Sequence, residues 1–536
     1  MLFVYRCIDR YLKDGGVLGF LITQTVFKSM AGMGFRRFFI PGVGPFRVLK
    51  VHDMVNLLPF EGAQNRTACL ICRKGERTEY PVPYIMWFKR VPGEIGQDLS
   101  LEEVMAITER VELAAKPLED RTGPWSTLTP KAHKAVEKVV GQSAYRAYAG
   151  VYVGLNAAYW VQIIRELPGG LVLVRNILEG AKRKVKEVEA PVEAELVYPL
   201  LRGRDVSRWL AQPTLYIVMP TDENGRTLPL EELRVKYPNA YKYFLNFFKQ
   251  LITRGGEPYR TQLKPWRELP PEKAEKIAPP FYMLFNVTPS LAPYKTVWRY
   301  IAGDMIASVV SPIRDKLLGH RLIVTDHRLM LIPLSDLDEA YLICALLNST
   351  PIRLAVRSYM VETQISVHVI ERLTIPQYNP DNPLHNELVE LSKRAHELAR
   401  AGDIEGLREV EARIDELVAE LYGITDEELI EMKKSLLILL GQIDKAKGLE
   451  ILGEKLAELR SKITRLMEEL KAYEEEYGLS SQELARLWDD AIERKKGLPL
   501  PDEADLDLIE WRSLYEMYKD ISKEIERLKK DIGKVV

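Results

Sequence analysis

Reactive side chains are sparse in this sequence. Its four cysteines are Cys7, Cys69, Cys72 and Cys344. Only Cys69-Leu70-Ile71-Cys72 has a spacing that metal or redox chemistry uses. Structural zinc usually needs a second pair, and the sequence has none. A dithiol redox site wants a helix start, whereas this pair lies in an alternating, strand-like run, so two ordinary strand cysteines are expected. The seven histidines, at 52, 133, 320, 327, 368, 385 and 396, do not pair at ligand spacing, so no metal site is expected. Phosphate loops of the GxxxxGK[ST] or GxGxxG kind and GxSxG elbows are absent, and no acidic pair stands out as a catalytic dyad.

What remains is basic and aromatic. Arg202, Arg204 and Arg208 cluster beside Trp209. Arginine suits both phosphates and guanine edges, because its planar fork donates two parallel hydrogen bonds. The same residues could instead form a structural ion-pair turn with Asp205. Lys295, Trp298 and Arg299 interleave with Tyr294 and Tyr300, a pattern that can stack and clamp nucleic acid or mark a strand with one packed face. Lys182, Arg183, Lys184 and Lys186 form a short basic run, read as a solvated loop or a non-specific phosphate contact.

The elements that must position these residues belong to a chain of 536 residues and 61.4 kDa, 46% hydrophobic and 28% charged. Those values describe several globular units and exclude disordered, collagen-like and disulfide-stapled chains. Four cysteines suit a reducing, cytoplasmic setting. No apolar run approaches the ~20 residues that span a bilayer. The net charge of −1 hides a gradient. Residues 1–130 carry 17 Lys and Arg against 14 Asp and Glu, residues 131–376 carry 33 against 24, and residues 377–536 carry 25 against 38. A basic middle segment is compatible with a polyanionic partner.

The patterning predicts an α/β start, a mixed α+β middle and an all-α tail. Leu2 to Leu12 reads as a helix that Asp14-Gly15-Gly16 ends. Val17 to Ile22 reads as a strand buried on both faces. Thr25 to Ile40 reads as a second helix with Arg36 and Arg37 on its polar side, and Val48 to Asn56 and Thr67 to Cys72 as further strands. Residues 81–140 read as a connector with one helix, Ser100 to Ala115. In 141–376 short strand-like runs alternate with helices at Pro238 to Leu251 and Leu337 to Asn348; residues 377–440 read as closing helices. In 441–536, Leu452 to Tyr477 and Leu514 to Ile532 each carry a heptad-like seam. Joined by a bend at Gly497 to Pro501, they predict an antiparallel hairpin or a helical protein–protein contact.

The order of segments in residues 1–75 resembles the N6-adenine DNA methyltransferases. Tyr11-Leu12-Lys13-Asp14-Gly15-Gly16-Val17-Leu18-Gly19-Phe20-Leu21-Ile22-Thr23 is similar to that family's helix, Gly-Gly turn and sheet strand. Gly34 to Phe39 resembles the family's next helix, and Asp53 to Phe60, Gly62-Ala63 and Thr67 to Lys74 resemble its next two strands. In the middle segment, Tyr198-Pro199-Leu200-Leu201-Arg202-Gly203-Arg204-Asp205-Val206-Ser207-Arg208-Trp209 resembles a segment of the target-recognition domain of TaqI-like and fused (type IIG) restriction–modification methyltransferases. Ala345 to Ser349, Leu373 to Pro376 and Ile414 to Thr425 are similar to its later signposts.

The resemblance covers roughly residues 1–435 and implies the end of a Rossmann-like catalytic sheet (1–80), then a DNA-specificity domain (141–376). It implies double-stranded DNA as partner and S-adenosylmethionine as the complete enzyme's cofactor. The chain departs from the family in lacking both the [DN]PP[YFW] motif and the glycine-rich cofactor motif. The expectation is therefore a C-terminal, DNA-recognising portion, without cofactor or activity by itself, that needs a separate chain to supply those motifs; the alternative is a non-catalytic specificity subunit. Tyr477 to Leu484 with Glu510-Trp511 and Leu514-Tyr515 looks like small helical antitoxin-like proteins, which implies a protein docking element.

Overall fold

The computed structural model describes residues 1–536 apart from 61–65, 92, 94, 97, 119, 180–182, 184, 268–279, 361–362 and 495–504. Helix α1 (Leu2–Tyr11) buries Val4 and Ile8, four residues apart on one face. Gly15, at φ 77°, turns the chain into β1 (Val17–Thr23). The first sheet adds β2 (Phe39–Ile40), β3 (Gly44–Asp53), β4 (Thr67–Lys74), β5 (Val82–Lys89), β6 (Thr108–Pro117) and β7 (Trp125–Leu128). Its order is β1-β4-β3-β5-β6-β7, with β2 paired to β3. Strand β4 is antiparallel to both β1 and β3, while β3 and β5 are parallel.

Several expectations change here. Residues 81–140 are not a connector, because three of their segments extend the first sheet. The helix expected over Ser100 to Ala115 stops early. It begins where expected, with a Ser100–Glu103 capping box on α2 (Leu101–Ile107), but Thr108 onward pairs with β5 as β6. Strand β1 is not covered on both faces. It is the sheet's edge, with Val17 and Leu21 each 50% exposed. Residues 25–40 are not one helix but a short turn of helix (Thr25–Lys28) and two 3-10 turns. Arg36 is buried rather than polar-facing, and donates to the carbonyls of Val26 (2.7 Å), Ser29 (2.8 Å) and Thr122 (2.8 Å). It thereby satisfies the Val26 and Ser29 carbonyls, which a continuing helix would have used. Cys69 and Cys72 do lie on a strand, and burial pushes the Cys72 thiol up to about 12.

The middle segment contains β8 (Tyr148–Ala149), β9 (Trp160–Leu167), β10 (Leu171–Asn176), β11 (Glu189–Glu193), β12 (Val197–Leu201), β13 (Val206–Ser207), β14 (Leu210–Ala211), β15 (Leu215–Val218), β16 (Tyr294–Arg299), β17 (Ala307–Val310), β18 (Ile313–Asp315), β19 (Gly319–Arg321), β20 (Val324–Thr325) and β21 (Leu329–Leu334). It is not one unit. A six-stranded sheet, β11-β10-β9-β15-β12-β20, packs on helices between 230 and 252 in a core of its own around Tyr159, Phe244 and Tyr282. A four-stranded sheet, β17-β16-β21-β8, instead shares its core with the first sheet and the later helices.

Those helices are α3 (Leu337–Asn348), α4 (Thr350–Tyr359), α5 (Pro383–Ala401), α6 (Ile404–Leu421), α7 (Asp426–Leu439), α8 (Ile443–Tyr477), α9 (Ser481–Arg494) and α10 (Asp505–Gly533). The two seams pack on each other: Lys455 meets Glu524 at 2.5 Å and Tyr477 donates to Asp507 at 3.0 Å, so α8 and α10 run antiparallel. The bend expected at 497–501 lies outside the described residues. The tail is not separate from the body, however. Leu456, Leu459, Ile525, Leu528 and Ile532 join the main core, and Lys433 bridges Asp415 (2.7 Å) and the carbonyl of Gly533 (3.0 Å). Only the far end forms an independent cluster, of Leu470, Leu484, Leu508 and Trp511.

Candidate nucleic-acid interface

Six of the seven residues expected to touch DNA do not face solvent freely. Arg202 is 7% exposed; its fork holds Asp205 at 2.9 and 3.1 Å and its Nη2 donates to Thr214 at 2.5 Å. That is the structural ion-pair turn, closed by the Arg202 N–H donating to Asp205 at 2.9 Å. Arg208 lies between Asp304 and Glu411, 3.2 Å from each. Trp209 is 1% exposed, with Nε1 donating to Glu411 at 2.7 Å. Lys295 and Trp298 are fully buried, on a strand central to its sheet. Arg299 is half-buried, and its Nε donates to the carbonyl of Val206 at 2.5 Å. A side chain held this way cannot reach a phosphate without breaking the packing around it.

Charge on these buried groups is controlled by their neighbours. Burial works against ionisation of Asp304, yet Arg353, at 2.5 Å, and Arg208 win and hold its carboxyl below the ordinary range. Burial alone pushes the Lys295 amine down to about 7. The amine donates to the carbonyl of Ala292 at 2.5 Å.

Arg204 is the exception. Its side chain is 59% exposed on the turn after β12, with Glu179 3.8 Å away. That turn abuts another basic one. A Cβ placed on Gly203 would lie 3.9 Å from the carbonyl of Arg328, and Asp326 donates its N–H to Leu201 at 2.9 Å. Arg328 is exposed on the turn between β20 and β21, beside His327. Strand β8 reaches the same place because Gly150 lets the backbones touch: a Cβ there would sit 2.4 Å from the Asp326 carbonyl. Strand β8 carries Tyr148, with the Arg146 guanidinium 5.3 Å from its ring centre. Between these turns and the segment 363–368 lies a cavity of about 530 Å³, lined by Tyr148, Tyr300, His327, Arg328, Met330 and His368 among others. A surface with three exposed guanidiniums and two tyrosines offers phosphate contacts and stacking platforms together. Among the described residues no group of His, Cys, Asp and Glu could hold a metal.

A second polar cavity lies at the carboxyl end of β1 and β3, where open α/β sheets commonly hold ligands. It is lined by Gln24, Lys28, Asp53, Asn56, Arg66 and Arg357 among others. Lys28 donates to the Ser358 carbonyl (2.9 Å) and to Thr127 (3.2 Å), and burial pushes its amine down to about 8. Asp53 is raised by burial although Tyr84 donates to it at 2.6 Å. The volume is about 50 Å³, against the ~300–1,000 Å³ of small-molecule pockets.

The solved structures that this chain matches include two restriction enzymes. The type IIL restriction–modification enzyme MmeI in complex with DNA is 9% identical over 82% of this chain and 51% of its own, with a TM-score of 0.46. The type IIG restriction endonuclease BpuSI is 13% identical over 77% of this chain and 48% of its own, with a TM-score of 0.26. The chain spans about half the length of each. No protein-family model and no curated protein matches it. No described helix is long and apolar enough to cross a membrane.

The sequence pointed to Arg204 and, by adjacency, to Tyr300. It gave no sign of Arg146, His327, Arg328 or His368, which are 40 to 222 residues apart except for the adjacent 327–328 pair. The alternation Arg146-Ala147-Tyr148 is the one local pattern that could have marked Arg146. Lys182 and Lys184 lie outside the described residues, and Arg183 donates to the Thr253 carbonyl at 2.8 Å.

Proposed function

We propose that this chain is the DNA-recognising portion of a site-specific adenine-N6 methyltransferase of a restriction–modification or related defence system. The observation that carries the reading is the face built from Arg146, Tyr148, Arg204 and Arg328 on the segment that the resemblance assigns to target recognition. Its cations would hold the duplex by its phosphates, which fix register without reading sequence. The amine of adenine is a poor nucleophile, and the family's [DN]PP[YFW] motif accepts its protons and stacks the flipped base. No residues here replace that motif, so the cofactor and the chemistry would come from polypeptide carrying it, such as a separate chain. The far end of the α8–α10 hairpin would serve as a helical protein contact.

The test is a titration of duplex DNA at several salt concentrations. Binding should weaken steeply with salt, and Arg204→Ala and Arg328→Ala should each lower the log–log slope by about 1. Binding that ignores salt, or ignores both substitutions, would refute the interface. A second reading, a non-catalytic DNA-specificity subunit or remnant that binds DNA and partner proteins, is favoured by the absence of both motifs from all 536 residues. Adding the catalytic chain and cofactor separates the two, since only the first reading predicts methylated DNA.

A further inference from the structure

We infer that the first sheet carries a phosphate-binding site at the amino ends of its strands, formed by Arg37, Arg77 and Arg121 with the charge of Arg36 behind them. This goes beyond the DNA-recognition reading and does not depend on it. Strands β3 and β5 are parallel, while β5 with β6 and β6 with β7 are antiparallel, so β3, β5 and β7 all start at one end of the sheet. That end is opposite the cavity lined by Asp53, the last residue of β3. The segments meeting there are Arg36-Arg37 before β2, Arg77 to Tyr80 before β5, and Arg121-Thr122 before β7. Between them lies a cavity of about 270 Å³, lined by the four arginines with Tyr80 and Phe39 among others. That is just under the ~300–1,000 Å³ of small-molecule pockets, a size that suits phosphate or pyrophosphate.

Charge names the class of ligand. Among the described residues, none that lines this cavity is acidic. The carboxylates of the surrounding segments are engaged elsewhere. Glu76 meets Arg47 at 3.4 Å and Arg73 at 3.2 Å, and Glu79 meets Arg47 at 2.7 Å. Asp120 accepts from the N–H of Thr122 at 2.6 Å and from its hydroxyl at 2.7 Å. Arg37, Arg77 and Arg121 are exposed, and none of them has an ion-pair partner among the described residues. Arg36 is 1% exposed; its Nε and Nη1 serve the carbonyls of Thr122, Val26 and Ser29, and its Nη2 has no hydrogen-bond partner among the described residues. Burial pushes this guanidinium down from its ordinary range, and Tyr80 and Asp120 offset that only in part. A bound oxyanion would supply the counter-charge that the described residues do not, and guanidinium forks match phosphate oxygens in pairs.

The backbone that carries these arginines is fixed. The Thr78 hydroxyl accepts from the N–H of Val48 and donates to the carbonyl of Phe46, each at 3.0 Å. The Tyr80 ring meets Trp125 edge to face at 5.9 Å, and its hydroxyl donates to the Arg121 carbonyl at 3.5 Å. Binding therefore has to order little beyond the arginine side chains, which keeps its entropic cost low. The phosphate can come from a free ion or from the backbone of a bound duplex, and the experiment separates the two.

Calorimetry of the full-length chain with inorganic pyrophosphate, at fixed ionic strength, should show one saturable site. Arg77→Ala and, independently, Arg121→Ala should each weaken it about tenfold, with circular dichroism confirming the fold. The Arg204→Ala/Arg328→Ala double variant should bind pyrophosphate as the wild type does. A labelled duplex then identifies the source. Duplex affinity that falls in Arg77→Ala and Arg121→Ala assigns the site to a backbone phosphate; pyrophosphate binding with duplex affinity unchanged, or with no duplex bound at all, assigns it to a free ion. No saturable binding of pyrophosphate by the wild type would overturn the inference, and so would binding that survives both substitutions. Neither result bears on the interface at Arg204 and Arg328, so the two proposals fail separately.

Discussion

Arginines two residues apart in sequence have opposite fates here. Arg202 and Arg204 carry the same charge in one turn, but only Arg202 aligns its fork with Asp205. Sequence spacing cannot decide which guanidinium a buried carboxylate captures, so the cluster was legible and its division was not. Arg202→Ala would strand the buried Asp205 and should destabilise the protein by about 3–5 kcal/mol, whereas Arg204→Ala should leave stability within ~0.5 kcal/mol; urea denaturation would separate them. Lys295 gives a second test. Its folded-state pKa of about 7 is below the ordinary 10.5. Between these values the unfolded chain binds a proton that the folded chain sheds. Stability is therefore lost as pH falls from about 10.5 to 7, and stays lost below. Lys295→Met keeps the shape without the charge and should stabilise by on the order of 3 kcal/mol at pH 7. Denaturation at pH 10 should show a smaller gain; an equal gain at both pH values would mean that burial of the charge is not the cause.

At the scale of elements, local signals were legible and long-range partners were not. The two seams of the tail, the helix start at Ser100 and helix Leu337–Asn348 could be read because their spacing lies within a few residues. The sheet neighbours of β1 and the packing of α10 on α6 depend on residues more than forty positions away. The run Val17 to Ile22 looked central because it is apolar throughout, yet it lies at a sheet edge beside the exposed Leu2, Phe3 and Tyr11 of α1. Unpaired edges with apolar side chains promote association. Leu21→Lys should therefore reduce concentration-dependent self-association in light scattering without changing the circular dichroism spectrum. The tail makes the complementary prediction. Trp511 is fully buried in the distal cluster, with Nε1 donating to Ser481 at 2.8 Å. Trp511→Ala should cost about 3–5 kcal/mol and loosen only that end, so DNA binding should persist. Leu528→Asp strikes the main core and should destabilise helices α6 and α7 as well, which proteolytic mapping would reveal.

For the whole molecule, the uneven charge carries the functional argument. The excess of 33 Lys and Arg over 24 Asp and Glu in residues 131–376 was visible from the start, but where it is concentrated was not. Most of the expected contact residues serve ion pairs and cores that join the segments, such as the Arg208–Asp304–Arg353 cluster. The face left for a partner is assembled from Arg146, Arg204 and Arg328 on three separate turns, which only the folded chain brings together. The most direct test measures fluorescence anisotropy of a labelled duplex across a salt series. It compares the wild type, the Arg204→Ala/Arg328→Ala double variant, and, as control, Arg394→Ala, an exposed residue of helix α5 whose guanidinium pairs with Glu397 at 3.0 Å. Salt-dependent wild-type binding is predicted, with a slope about 2 units shallower in the double variant and unchanged in the control. Equal slopes in all three proteins, or no binding at low salt, would contradict the account.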